Sequence, residues 1–189
     1  MADIRIIKNE LRSEYRKKRH DMSAEEKASL DARITERFLS SMSYKHASQI
    51  LLYASTDEEI STNAIFKEAI KDGKKCFFPR CFEHSKMEYY RADSEEDLIE
   101  DKFNIKAPIE SAEIYTPQPS DICIVPAMTY DRKGFRLGYG KGFYDRFLPK
   151  FMGVKIGFCY SSFMRNQLPR GRYDISVDSI ITEKGVILL

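Results

Sequence analysis

Between Val125 and Leu148 the chain reads VPAMTYDRKGFRLGYGKGFYDRFL, placing three glycines at alternate positions among cations and acids. Gly138, Gly140 and Gly142 have no Cβ, so the backbone there can take positive φ and bring its amides close to an anion. Arg136 and Lys141 add full positive charge, and Asp145 is a carboxylate able to share a divalent ion with a phosphate group. Ile122–Val125 reads as a short buried strand stopped by Pro126, and Phe143–Phe147 as the start of a helix. The glycine amides then sit at a helix start, where the macrodipole favours negative charge. The chemistry these residues fit is the binding and transfer of phosphate. The spacing is neither a Walker loop nor the Rossmann fingerprint, and glycines that only make a tight strand-to-helix turn remain the competing reading.

The elements that must position this segment follow from periodicity. Over residues 3–20, Ile4, Ile7, Leu11 and Tyr15 recur at spacings of three and four, which is one helix face. Lys8, Arg12, Arg16 and Arg19 recur the same way on a basic face, which by itself reads as a solvated stripe. Ser23-Ala-Glu-Glu26 is a capping box opening a helix over residues 24–41. Residues 49–54 read as a buried strand, 62–72 as a helix capped by Ser61 and closed by Gly73, and 75–79 as another strand. That β-α-β unit implies a parallel pair with a ligand crevice at the strand carboxyl ends, where residues 54–59 and Arg80 emerge. Residues 87–91, 155–160 and 177–182 read as further strands, the last of them final, and the acidic stretch 94–101 as a short helix and loop.

Composition narrows the classes. The chain has 189 residues, 42% of them hydrophobic and 32% charged, which is enough for one α/β domain with a substantial core. A formal net charge of +2 gives no whole-molecule field to attract nucleic acid, and no apolar run reaches transmembrane length. The four cysteines, at 76, 81, 123 and 159, form no Cys-x-x-Cys pair and read as reduced core residues, with no zinc site. The expected setting is the cytoplasm, because the start lacks the apolar core of a secretory signal.

Asp131-x-x-Gly134-x-Arg136-Leu137-Gly138-x-Gly140-Lys141-Gly142-Phe143-Tyr144-Asp145 resembles the signature of the 5-formyltetrahydrofolate cyclo-ligase family, also called methenyltetrahydrofolate synthetases. Three further segments resemble the same family in the same order: Lys8-Asn-Glu-Leu-Arg12, Asp57-Glu-Glu-Ile-Ser-Thr62, and Phe78-Pro-Arg80 followed by Met87. The resemblance implies a single three-layer α/β domain over residues 1–189, with a mixed, mainly parallel sheet flanked by helices. It implies ATP-dependent closure of 5-formyltetrahydrofolate to 5,10-methenyltetrahydrofolate, with ADP and phosphate released.

Carried over residue by residue, the resemblance assigns ATP to Lys8, Arg12, Arg136, Leu137, Gly138, Tyr139, Gly140, Lys141, Gly142, Phe143 and Tyr144. It assigns the folate to Ala54, Glu59, Met87 and the stretch Tyr139, Gly140, Lys141, Gly142, Phe143 and Tyr144. Arg136, Lys141 and Glu59 are the implied catalytic groups, and Asp145 and Asp178 the implied magnesium ligands. Without the family, Asp178 reads as an ordinary strand-edge acid, Glu58 competes with Glu59, and Met87 reads equally well as core. Arg16 to Arg19 stay with the solvated stripe. The implied partners are small molecules acting on a monomer, with neither nucleic acid nor membrane. Tyr139 departs from the arginine that some members carry, Phe143 from tyrosine, and Ala127 from glycine. A folate- or nucleotide-binding module that has lost turnover is the alternative, and its support in the sequence is Tyr139 alone.

Overall fold

A computed structural model describes residues 3–101 and 105–189, and its helices begin where side chains can satisfy orphan amides. Asp3 accepts from the Arg5 amide at 2.9 Å and opens α1 (Ile4–His20). Ser23 accepts from the Glu26 amide at 3.1 Å and opens α2 (Ala24–Leu39), a cap of the kind that contributes about 1 kcal/mol. Ser41 caps the short α3 (Met42–His46) in the same way.

β1 (Gln49–Leu51) is shorter than the expected 49–54: the Leu52 amide makes the last bond to the next strand, donating to the Phe77 carbonyl at 2.9 Å, and Leu52 and Tyr53 stay buried beyond β1. In α4 (Asn63–Lys71) the N-cap position falls to Thr62 rather than Ser61. The Thr62 hydroxyl makes no cap bond, donating instead to the Tyr53 carbonyl at 2.7 Å and tying the helix start to the loop after β1. Gly73, at φ +72°, ends that helix as expected.

β2 (Lys75–Cys81) pairs with β1 in parallel and with β3 (Met87–Ala92) in antiparallel fashion. A small hairpin of β4 (Ile99–Glu100) and β5 (Lys106–Ala107) follows, then the buried β6 (Ile122–Val125). The hairpin of β7 (Thr129–Tyr130) and β8 (Arg136–Leu137) leads into α5 (Phe143–Phe147). β9 (Val154–Phe158), β10 (Ser179–Ile181) and β11 (Val186–Leu188) complete the chain, β11 being a strand beyond the one expected to be last.

The main sheet runs β11-β10-β9-β6-β1-β2-β3, with the five inner strands parallel and both edge strands antiparallel. This is the mixed, mainly parallel sheet flanked by helices that the resemblance implied. α2 packs on α4 and reaches β10, and α4 lies on β2. Phe38 meets Phe158 at a ring-centroid distance of 5.5 Å, and Phe66 meets Phe78 at 4.9 Å, both edge to face. In α1 the first turn stands clear of the core, while Leu11 and Tyr15 pack on it. Tyr15 is buried and donates to the Phe163 carbonyl at 2.8 Å, whereas Ile4 is exposed, against the expectation of an apolar face along the whole helix.

Candidate active site

In a parallel sheet the strand carboxyl ends open a crevice, and here residues after β1, at the end of β2 and after β6 line a cavity of about 490 Å³. Its apolar wall is made by Tyr53, Ala54, Pro79, Cys81, Met87, Pro126, Phe143 and Tyr144. Lys8, Arg12 and Arg16 of α1, with Arg136 and Lys141, line it with positive charge, and Glu59, Asp145 and Asp174 add carboxylates. A pocket with one flat apolar wall and one cationic wall suits a ligand, or a ligand pair, that carries both a planar ring and phosphates.

The cationic wall is built by the β7–β8 hairpin. Asp131 is fully buried, and its carboxylate accepts from the Lys133 and Phe135 amides at 2.9 and 3.1 Å, folding the turn on itself. Its other oxygen accepts from the Leu168 amide at 3.1 Å and from Arg170 at 3.3 Å, fastening the hairpin to the segment beyond β9. Gly134 closes the turn at φ +80°, where a Cβ would lie 2.9 Å from the Val177 carbonyl oxygen. Asp131 and Gly134 of the motif thus do their work outside the cavity: they aim Arg136. That side chain is 5% exposed, donates to the Ile175 carbonyl at 2.9 Å and pairs with Asp145.

The glycine segment is gripped from α1. Arg12 Nε donates to the Gly138 carbonyl at 2.9 Å, and the guanidinium lies over Gly140, where a Cβ would stand 3.2 Å from its Cζ at φ +98°. Burial, then the neighbouring Arg16, lowers the Arg12 pKa, with Asp174 acting in the opposite sense. Lys8 pairs with Asp174 at 2.6 Å, both side chains mostly buried. At five residues α5 carries only a small macrodipole, so the side-chain cations dominate the field at this wall and the helix start counts for less than expected.

The opposite wall is fixed by hydroxyls. Glu59 Oε2 accepts from the Thr56 amide at 3.0 Å and its hydroxyl at 3.2 Å, closing a turn in which the Glu59 amide returns to the Thr56 carbonyl. Tyr53 donates to the Ile60 carbonyl at 2.8 Å, bracketing the same turn. Tyr139 reaches over from the glycine segment, and burial followed by the Glu59 carboxylate raises its hydroxyl pKa. Tyr144 is held by the Tyr89 hydroxyl of β3 at 3.2 Å. Burial pushes the Cys81 thiol up to about 11, so it stays protonated and serves as wall rather than as nucleophile.

A family model for the 5-formyltetrahydrofolate cyclo-ligase family matches residues 5–183. The chain belongs to that family. Cyclo-ligase-family relatives include the mouse 5-formyltetrahydrofolate cyclo-ligase, 29% identical with 95% of each chain covered, and that of Haemophilus influenzae, 27% identical over 92% of this chain and 96% of the other. The NMR structure of the Aquifex aeolicus 5,10-methenyltetrahydrofolate synthetase matches with a TM-score of 0.86 at 34% identity, covering 97% of this chain and 93% of that one. The cyclo-ligase family is a ligase family, so this chain is an enzyme of that class.

Against the cyclo-ligase resemblance, the cavity brings together Lys8, Arg12, Ala54, Glu59, Met87, Arg136, Gly138, Tyr139, Gly140, Lys141, Gly142, Phe143, Tyr144 and Asp145. Two expected residues lie elsewhere. Leu137 is 1% exposed and packs in the core, while its carbonyl accepts from the Met128 amide at 2.8 Å. Asp178 precedes β10, which runs parallel to β9, so it stands at the amino ends of the strands, away from the crevice. Its carboxylate accepts from the Lys155 amide at 2.8 Å and pairs with Lys155 Nζ at 3.0 Å. Asp174, four residues earlier, is the carboxylate that lines the cavity. Of the two arginines expected in a solvated stripe, Arg16 is exposed as expected, at the rim of the cavity, whereas Arg19 is buried. Of the cysteines, 76, 123 and 159 are buried as expected and Cys81 is half-buried.

Proposed function

We propose that this enzyme closes 5-formyltetrahydrofolate to 5,10-methenyltetrahydrofolate at the expense of ATP, as a monomer in the cytoplasm. The observation that carries this reading is the single cavity in which the Glu59 turn and the cationic wall of Arg12, Arg136 and Lys141 face common space. The pterin ring lies against Met87 and Tyr144, and Glu59 accepts from its donor edge. The nucleotide phosphates lie along Lys8, Arg12 and the glycine segment.

The formyl oxygen is a poor leaving group until it carries a phosphoryl group. It attacks the γ-phosphorus, ADP departs, and the second folate nitrogen then attacks the activated carbon, giving up its N–H proton to solvent as the oxygen leaves in inorganic phosphate. Arg136 and Lys141 neutralise the charge on the transferring group, and alignment supplies the remainder. Among the described residues no group of three His, Cys, Asp or Glu side chains could hold a metal ion alone. That donor set fits magnesium, which takes one or two carboxylates and shares phosphate oxygens. Asp145 and Asp174 are the residues that would hold it, and when bound it would neutralise phosphate charge.

The test is the near-ultraviolet absorbance of purified protein with 5-formyltetrahydrofolate, ATP and magnesium. An increase that requires ATP is expected from the conjugated methenyl product, and tight folate binding with no increase would refute the ligase reading. Two variants sharpen it. Glu59→Gln is expected to raise the folate KM about tenfold, with the ATP KM within twofold, because it loses one charge-assisted acceptor worth about 1.5 kcal/mol. Gly140→Ala forces a side chain into left-handed backbone at a cost of about 1–2 kcal/mol and pushes on Arg12, so the ATP KM is expected to rise at least fivefold. An unchanged ATP KM in steady-state kinetics would remove this grip from the nucleotide site.

A further inference from the structure

Arg19 ends the basic face of α1, and unlike Lys17 and Lys18 beside it, the side chain is buried. It has no carboxylate partner among the described residues. Its fork is spent on main-chain carbonyls: Nη1 donates to Glu58, and Nη2 to Ala127 at 2.8 Å and Met128 at 3.1 Å. The guanidinium stands 5.9 Å from the Phe163 ring centroid, and Nε is buried without a partner.

Burying an uncompensated cation is unfavourable, and carbonyl dipoles offset only part of that cost. The carbonyls it selects come from two separate loops, each contributing to a cavity wall. Glu58 precedes Glu59 in the turn that orients the carboxylate, and Ala127 and Met128 follow Pro126 after β6. Two turns earlier on the same helix, Arg12 holds Gly138 of the nucleotide wall. One rigid helix therefore grips three loops through two arginines.

We infer that Arg19 is a positioning residue for the Glu59 turn, setting where the carboxylate stands relative to the apolar wall. It touches neither substrate. This assignment rests on the proposed folate site for its kinetic consequence, though not for its structural one. A lysine keeps the charge but offers a single nitrogen, which cannot span Glu58 and the Ala127–Met128 carbonyls together. Methionine removes every donor and leaves three carbonyls without this partner.

The experiment compares wild type, Arg19→Lys and Arg19→Met by amide hydrogen exchange without ligand and by steady-state kinetics. Exchange in Arg19→Lys is expected to rise at least tenfold at residues 55–60 and 127–129, with α1 and the main sheet unchanged. The folate KM is expected to rise about tenfold, with kcat within threefold and the ATP KM within twofold, and Arg19→Met to exceed Arg19→Lys. Exchange rising equally across α1, or no local rise in Arg19→Lys, overturns the assignment even if Arg19→Met fails to fold. So does a folate KM that stays put while the wild type turns over. If the wild type closes no ring, the ligase reading fails separately, and the ligand-free exchange alone decides the role of Arg19.

Discussion

Replacing Arg136 with lysine is expected to lower kcat by about 10²- to 10³-fold, equivalent to about 2.7–4 kcal/mol of lost transition-state stabilisation. Arg136 is held at three levels. β8 pairs with β7, the Asp131 turn fixes the hairpin, and the guanidinium is anchored by the Ile175 carbonyl and Asp145. Lysine retains the charge but loses the planar fork, so it cannot keep both anchors while presenting a donor to a transferring phosphoryl group. Since ground-state phosphate binding is shared with Lys8, Arg12 and Lys141, the ATP KM should change less than kcat. Single-turnover kinetics under saturating ATP make the comparison. A kcat within threefold of wild type would leave Arg136 a structural tie between the hairpin and the segment around Ile175.

The second large effect separates two aspartates four residues apart. Asp174→Asn is expected to raise the magnesium concentration for half-maximal rate at least tenfold, and Asp178→Asn to leave it within twofold. Asp174 lines the cavity, whereas Asp178 belongs to the opposite end of the sheet with Lys155. Asp174 also pairs with Lys8 at 2.6 Å, so Lys8→Met serves as the control. If Lys8→Met moves the magnesium requirement as far as Asp174→Asn does, the carboxylate acts through the lysine and not on the metal. Equal effects of the two aspartate variants would overturn the placement altogether.

These two aspartates illustrate what a sequence can and cannot carry. Both sit in one short segment after a Pro- and Gly-containing loop, and spacing alone cannot tell which carboxylate faces the crevice. Strand polarity decides it, and polarity is a property of the assembled sheet. Helix α1 was legible from its 3.6-residue period, α2 from its capping box and α4 from its closing glycine, all of them local signals. β6 was legible because it is buried on both faces and reads as an unbroken apolar run. The two-residue strands of the β7–β8 hairpin were not, since strands so short carry no period and exist because a buried Asp131 folds the turn. Arg19 was hidden for a related reason. On a one-dimensional helix face it looks like its neighbours Lys17 and Lys18, and only the packing of α1 against loops 39 to 109 positions away separates them.

The grip of α1 on the finished domain spans nearly the whole chain. Lys8 meets Asp174 across 166 positions, Tyr15 meets Phe163 across 148, and Arg12 meets Gly138 across 126. A ribosome makes α1 well before these three partners. A nascent chain that already carries most of the parallel sheet still lacks Phe163 and Asp174, two of the partners that seat this helix. Loop-closure entropy over such separations places its docking late in folding as well. The pocket is therefore completed only once residues 163–174 have been made, and a chain cut short before Phe163 can hold the glycine segment and much of the sheet while lacking the Tyr15–Phe163 and Lys8–Asp174 contacts that seat α1 beside them.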